Sequence, residues 1–103
     1  MNFHPLVAEA QLHEGYRQVF SIQGHDLLLL QHEGQLHLLD NICPHAGYPL
    51  HQGQIINHAL RCPMHGYLFE LDGGRCILHS EGPCDDLRAF PFAIREGMVG
   101  VLL

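Results

Sequence analysis

The sequence has no lysine, no tryptophan and no long apolar run. Apart from histidine, its basic side chains are five arginines, which face 11 carboxylates and leave a formal net charge of −6. Because a phosphate backbone is bound by clustered lysine and arginine, nucleic-acid binding is a poor interpretation. The apolar run at 27–30 is far shorter than the ~20 residues of a membrane helix, and no positively charged apolar leader opens the sequence. We therefore expect no nucleic-acid or membrane partner and a cytoplasmic location.

A chain of 103 residues fits one domain, which we assign to residues 1–103. Turn residues, above all glycine, recur every eight to twelve positions, and no stretch shows a convincing helical period of 3.6 residues. We therefore predict an all-β fold, an antiparallel sandwich or small barrel. The predicted strands are 6–10, 16–22, 27–31, 36–40, 54–56, 59–61, 67–71, 90–95 and 98–102.

Two short segments each combine a thiol with an imidazole. The first contains Cys43 and His45, the second contains Cys62 and His65, and a proline follows each cysteine. Thiolate and imidazole groups two or three residues apart in one turn can reach the same metal centre, and proline stiffens the turn. Two such turns give a Cys2His2 donor set, which suits an iron–sulfur cluster or zinc. The repetition of the pattern argues against ordinary loop residues.

With sixteen residues between His45 and Cys62, the sequence resembles the Rieske-type iron–sulfur proteins, whose signature is Cys-x-His followed by Cys-x-x-His. The similarity includes the segments 41–45 and 62–74 and extends over nearly the whole chain. The resemblance implies one [2Fe–2S] cluster per chain, with Cys43 and Cys62 on one iron and His45 and His65 on the other. It also implies the Rieske fold, in which two cluster-binding loops lie at one tip of the β-structure.

Four positions near the motifs differ from the high-potential Rieske proteins of respiratory and photosynthetic chains. Those proteins have two further cysteines, joined in a disulfide, where this sequence has Tyr48 and Met64. They also have a serine and a tyrosine hydroxyl near the cluster, at the positions of Tyr67 and Phe69. These changes remove bracing and hydrogen-bond donors. Rieske clusters have reduction potentials of about −150 to +300 mV. The resemblance therefore implies a reduction potential in the lower part of that range.

Among Rieske proteins, the sequence is similar to the small ferredoxins of bacterial ring-hydroxylating dioxygenase systems. Such a ferredoxin accepts one electron from a flavoprotein reductase and passes it to a terminal oxygenase. The oxygenase needs an additional catalytic domain with a mononuclear iron, for which 103 residues leave no room. The resemblance therefore implies a soluble electron-transfer component of an oxidoreductase system, without catalytic residues of its own.

Two alternatives remain open at this point. The chain also resembles the Rieske-like small subunit of nitrite reductases or of another oxidoreductase, although such subunits often lack the ligands that are present here. A Cys2His2 set can also hold zinc in a structural module, although zinc modules usually pair Cys with Cys and His with His. The colour of the purified protein distinguishes brown iron–sulfur protein from colourless zinc protein.

Several residues outside the two motifs receive simpler interpretations. Cys76, on a strand, and Cys84, in a turn, are interpreted as partly buried thiols of a reducing compartment, with a disulfide between them left open. The eight other histidines are interpreted mainly as surface residues, and His51 is the one that lies within the cluster segment. The leucines at 27–30 are expected to form a core strand.

Overall fold

The computed structural model describes residues 1–45, 47–64, 66–79, 82 and 84–103. In this part of the chain, ten strands and one short 3-10 turn, Glu9–Gln11, are present. The strands are β1 Phe3–Ala8, β2 Arg17–Ile22, β3 His25–His32, β4 Gln35–Asp40, β5 Gln54–Ile56, β6 Ala59–Arg61, β7 Leu68–Glu70, β8 Cys76–Leu78, β9 Phe92–Arg95 and β10 Met98–Leu102.

The described strands form three antiparallel sheets. Their orders are β1-β10-β9, β2-β3-β4 and β5-β6-β7-β8. The prediction of an all-β antiparallel fold is therefore confirmed. Within the same described ranges, no helix has the length and apolar character required to cross a membrane.

Strand β3 is the common wall of two hydrophobic cores. Successive side chains of a strand point to opposite faces of the sheet. Leu28 and Leu30 accordingly belong to a core that also contains Cys43 and Cys62. Leu27 and Leu29 belong to a second core, with Leu38, Phe90 and the valines of β10. Because both faces of β3 are covered, the prediction of a core strand at 27–30 is confirmed.

The predicted strand boundaries differ most at the amino-terminal strand. We predicted residues 6–10, whereas β1 is Phe3–Ala8 and Glu9–Gln11 forms the 3-10 turn. The reason is tertiary pairing: β1 pairs with β10 from Phe3 opposite Leu102 to Ala8 opposite Met98. Pro5 is tolerated there because β1 is an edge strand, on which a missing N–H is accommodated. The short strand β8 is additional to the predicted list and contains Cys76, which we expected on a strand.

Candidate metal centre

The two Cys/His segments form two loops of the same kind. The first follows β4 and is closed by a bridge between Ile42 and Pro49. The second follows β6 and is closed by the pairing of Arg61 with Leu68 on β7. Each loop thus joins two antiparallel partners and presents its cysteine as the first residue of the turn.

The hydrogen bonds inside the two loops repeat position by position. The Cys43 N–H donates to the Tyr48 carbonyl at 2.9 Å, and the Cys62 N–H donates to the Tyr67 carbonyl at 2.8 Å. In the return direction, the N–H of the glycine four residues on donates to the cysteine carbonyl, at 2.8 Å from Gly47 and 3.1 Å from Gly66. Both glycines are left-handed, with φ of 66° and 74°, which favours glycine at these positions. The two cysteines are therefore held by equivalent backbone frameworks.

The two predicted thiol ligands lie inside the protein, and one predicted imidazole ligand lies outside. Cys43 and Cys62 are each 1% exposed and belong to the same core. No disulfide joins these two described cysteines. His45 is exposed. A centre held by these residues would have thiolates on its protein side and an imidazole toward solvent, which fits a cluster with mixed Cys and His ligands.

The fourth predicted ligand, His65, lies outside the described residues. Of the three predicted ligands that the structure describes, Cys43 and Cys62 are brought together in one core. The ring of His45 stacks on Tyr67 of the other loop, with 4.1 Å between ring centroids and 14° between planes. The loops are therefore in direct contact through His45 and Tyr67.

Comparison with models of known protein families gives a match over most of the chain. The family model of the Rieske [2Fe-2S] domain matches residues 2–91. The chain belongs to this family. The prediction of a Rieske-type protein with a [2Fe–2S] cluster is thus confirmed, and the structural zinc module is not supported.

The relatives of this Rieske chain include separate ferredoxins and larger oxygenases. The ferredoxin component of the alkene monooxygenase system of Xanthobacter autotrophicus is 35% identical over 85% of this chain and 70% of its own length. The oxygenase component of dicamba O-demethylase from Stenotrophomonas maltophilia is 34% identical over 72% of this chain. Only 23% of that oxygenase is covered, so the chain corresponds to one part of it. The match to most of a ferredoxin component confirms that the chain resembles a carrier rather than a whole oxygenase.

Solved structures show the same fold. The ferredoxin of carbazole 1,9a-dioxygenase from Nocardioides aromaticivorans superposes with a TM-score of 0.83, over 98% of this chain and 97% of that one, at 20% identity. The ferredoxin of Sphingomonas yanoikuyae gives a TM-score of 0.81 over 97% of both chains, at 22% identity. At these identities the likeness establishes the architecture alone.

The structure shows the exposure and contacts of the four residues at which this chain differs from high-potential Rieske proteins. Tyr48 and Met64 are 41% and 51% exposed, so neither braces the loops from the interior. The Tyr67 hydroxyl donates to the Gly82 carbonyl at 3.3 Å. Because a phenol has one proton to donate, this hydrogen bond directs the hydroxyl proton of Tyr67 toward the Gly82 carbonyl. Phe69 is fully buried in the core of the two cysteines and has no hydroxyl.

Sequence reasoning missed the support of the first loop by Arg17. The Arg17 guanidinium donates to the carbonyls of His51 and Gly53, at 2.9 and 2.6 Å. The Asn41 amide donates to the His51 ring at 3.3 Å. His51, expected to lie near the ligands, thus helps to position the segment that follows the first loop. A single arginine on an edge strand carries no local signal of this role.

The two remaining cysteines lie beside the site. No disulfide joins Cys76 and Cys84 in the described structure, as the favoured interpretation held. Burial and the neighbouring Cys76 raise the pKa of the Cys84 thiol to about 12. Cys84 is therefore protonated at neutral pH and is a poor nucleophile.

Proposed function

We propose that the protein is a one-electron carrier that accepts electrons from a flavoprotein reductase and passes them to a terminal oxygenase. The observation that carries the proposal is the match over most of both chains to the ferredoxin component of an oxygenase system. We also propose that residues 1–103 form a single Rieske domain, since both hydrophobic cores use strand β3. A cytoplasmic location is likewise proposed, and the two unlinked thiols Cys76 and Cys84 fit a reducing compartment.

The proposed ligands are Cys43 and Cys62 for one iron and His45 and His65 for the other. When bound, a cluster with two imidazoles is less negative than an all-cysteine cluster and is therefore more easily reduced. The chain's own contribution is the hydrogen-bonded framework of the described loop residues, which places the two thiols in an apolar core. That core excludes water from the sulfur side, while the exposed His45 leaves a short path for electrons at the surface.

The ligand assignment is tested on the purified holoprotein by single substitutions. His45→Ala and His65→Ala should each lose the cluster, measured as iron and sulfide per chain and by the EPR spectrum of the reduced protein. Because ligation contributes to folding free energy, both variants should also be less stable. The matched control is His79→Ala, which changes an exposed histidine outside the loops. A fully loaded His45→Ala protein would refute the ligand assignment, as would full occupancy by zinc in the wild type.

The carrier role needs a separate experiment. Wild-type holoprotein is mixed with a flavoprotein reductase and with a terminal oxygenase from the same organism, and the oxidation state of the cluster is followed by visible absorption. We expect reduction by the reductase and rapid reoxidation by the oxygenase, coupled to product formation. A cluster that is reduced but never reoxidised by an oxygenase would overturn the proposed acceptor, and the ligand assignment would still stand.

A further inference from the structure

Two imidazoles and a carboxylate meet on the surface at a place that has no part in the cluster centre. His32 is the last residue of β3 and Glu33 follows it in the turn to β4, whereas His58 belongs to the turn between β5 and β6. Their ligand atoms all lie within 4.8 Å of one another. These side chains line an open cavity of about 520 Å³. Three residues lie between His58 and Cys62, so the two are four positions apart, about 13 Å of extended chain.

The distances are close to those of a metal site. Two ligands of a tetrahedral zinc ion, each about 2.05 Å from the metal, lie about 3.3 Å apart. Glu33 Oε2 lies 3.5 Å from His58 Nε2, and the other carboxylate oxygen, Oε1, lies 3.9 Å from His32 Nε2. The His32 and His58 rings meet edge to face, with centroids 5.2 Å apart. Because Glu33 and His58 are exposed, their side chains have room to rotate toward a shared ion.

The backbone on both sides of the cavity is fixed in advance. The Glu14 carboxylate accepts the N–H groups of Glu33 and Gly34, at 2.6 and 3.0 Å, and so pins the first turn. The second turn is held by the Leu71 N–H, which donates to the His58 carbonyl at 2.9 Å. Ligands on braced turns lose less conformational freedom on binding a metal than ligands on free loops.

The electrostatic surroundings favour a cation. The carboxylates of Glu70 and Asp72 line the same cavity. Glu70 is ion-paired with Arg75 at 3.1 Å, so Asp72 is the one that adds net negative charge. Burial is the main cause that lowers the pKa of His37, also in the cavity wall, so this ring adds little positive charge at neutral pH. The site therefore combines borderline nitrogen donors with negative charge, a combination suited to zinc and related divalent ions.

We propose that His32, Glu33 and His58 bind one divalent transition-metal ion of the zinc class, with water as the remaining ligand. Such an ion would join the turn before β4 to the turn before β6. Those two strands lead directly into the two cluster loops, so the ion would connect the sheets that carry them.

The test is a titration of the cluster-loaded holoprotein with Zn²⁺, followed by calorimetry and by the thermal unfolding midpoint. We expect one zinc ion per chain in addition to the iron, and a midpoint that rises with zinc concentration because the folded state alone holds the complete site. Glu33→Gln and His32→Gln should each weaken zinc binding by more than about tenfold, since even indirect partners of a ligand contribute that much. His58→Asn serves as a third variant because asparagine tolerates the left-handed backbone, φ 66°, at this position.

His79→Gln is the matched control, because it removes an exposed imidazole elsewhere, and its zinc affinity should equal that of the wild type. The visible spectrum of the cluster is recorded at each addition, so that displacement of iron by zinc is detected. The proposal is overturned if the wild type binds no zinc, or if any of the three variants binds it as tightly as the wild type. It is also overturned if zinc is taken up only as iron is lost, because the ion then occupies the cluster ligands.

Discussion

Two neighbouring leucines on β3 should have equal effects on stability and different effects on the metal centre. Leu27 and Leu28 are both fully buried, but Leu28 packs in the core of Cys43 and Cys62 whereas Leu27 packs in the second core. Replacing either by alanine removes a fully buried side chain and leaves a cavity, at a cost of about 3 kcal/mol within a usual range of about 2–5. For a domain of this size, that cost lowers the unfolding midpoint by at least about 12 °C.

The two variants should separate when the cluster and the fold are followed in the same denaturant titration. In Leu27→Ala, the visible absorption of the cluster and the far-ultraviolet circular dichroism should be lost together. In Leu28→Ala, the cavity adjoins the cysteines, so the cluster signal should be lost at lower denaturant than the β-structure. If the two signals separate equally in both variants, or in neither, the assignment of the two faces of β3 to different cores has no consequence for the centre and our reasoning is wrong.

Three further predictions concern single side chains. Phe69→Tyr should raise the reduction potential by about 60 mV if the new hydroxyl reaches the cluster, because a hydrogen bond of about 1.4 kcal/mol favours the reduced form. Voltammetry of both proteins at one pH measures this difference. A wild-type potential in the upper third of the Rieske range would show that backbone donors dominate. Tyr67→Phe should lower the free energy of unfolding by roughly 1 kcal/mol, because the hydrogen bond to the Gly82 carbonyl is lost. The EPR spectrum of the reduced protein should not change. A changed spectrum would mean that the Tyr67 hydroxyl acts on the cluster. Glu14→Gln should lower the unfolding midpoint at neutral pH. Two backbone N–H groups lower the pKa of this carboxyl below 4.5, so its contribution to the stability of the fold is complete above that pH and is lost as the pH falls below it. A difference in midpoint between variant and wild type that does not shrink in acid would contradict this.

Local patterns were sufficient to predict most of the strands and the Cys/His motif, although β8 was missed and β1 was placed too late. The alternation in the strand at 67–71 and the glycine turns are properties of neighbouring residues, and so is the spacing of Cys43 to His45. Strand pairing and side-chain contacts between residues distant in the sequence could not be predicted from such local patterns. The start of β1 is set by pairing with β10, almost a hundred residues away, and Arg17 reaches the segment after the first loop only because β2 lies beside it. The same applies to His32 and His58, which we interpreted as separate surface residues and which the structure brings into contact.

The burial of the two thiols and the exposure of His45 have a kinetic consequence for a carrier of this kind. If the edge of the centre near His45 is the one that electrons cross, the reductase and the oxygenase must dock on the same face. The two partners then exclude each other, and each electron is delivered by a protein that dissociates from one partner before it meets the next. Turnover of the three-protein system should therefore slow when either partner is in large excess. A bound complex of all three proteins would be incompatible with this order of events.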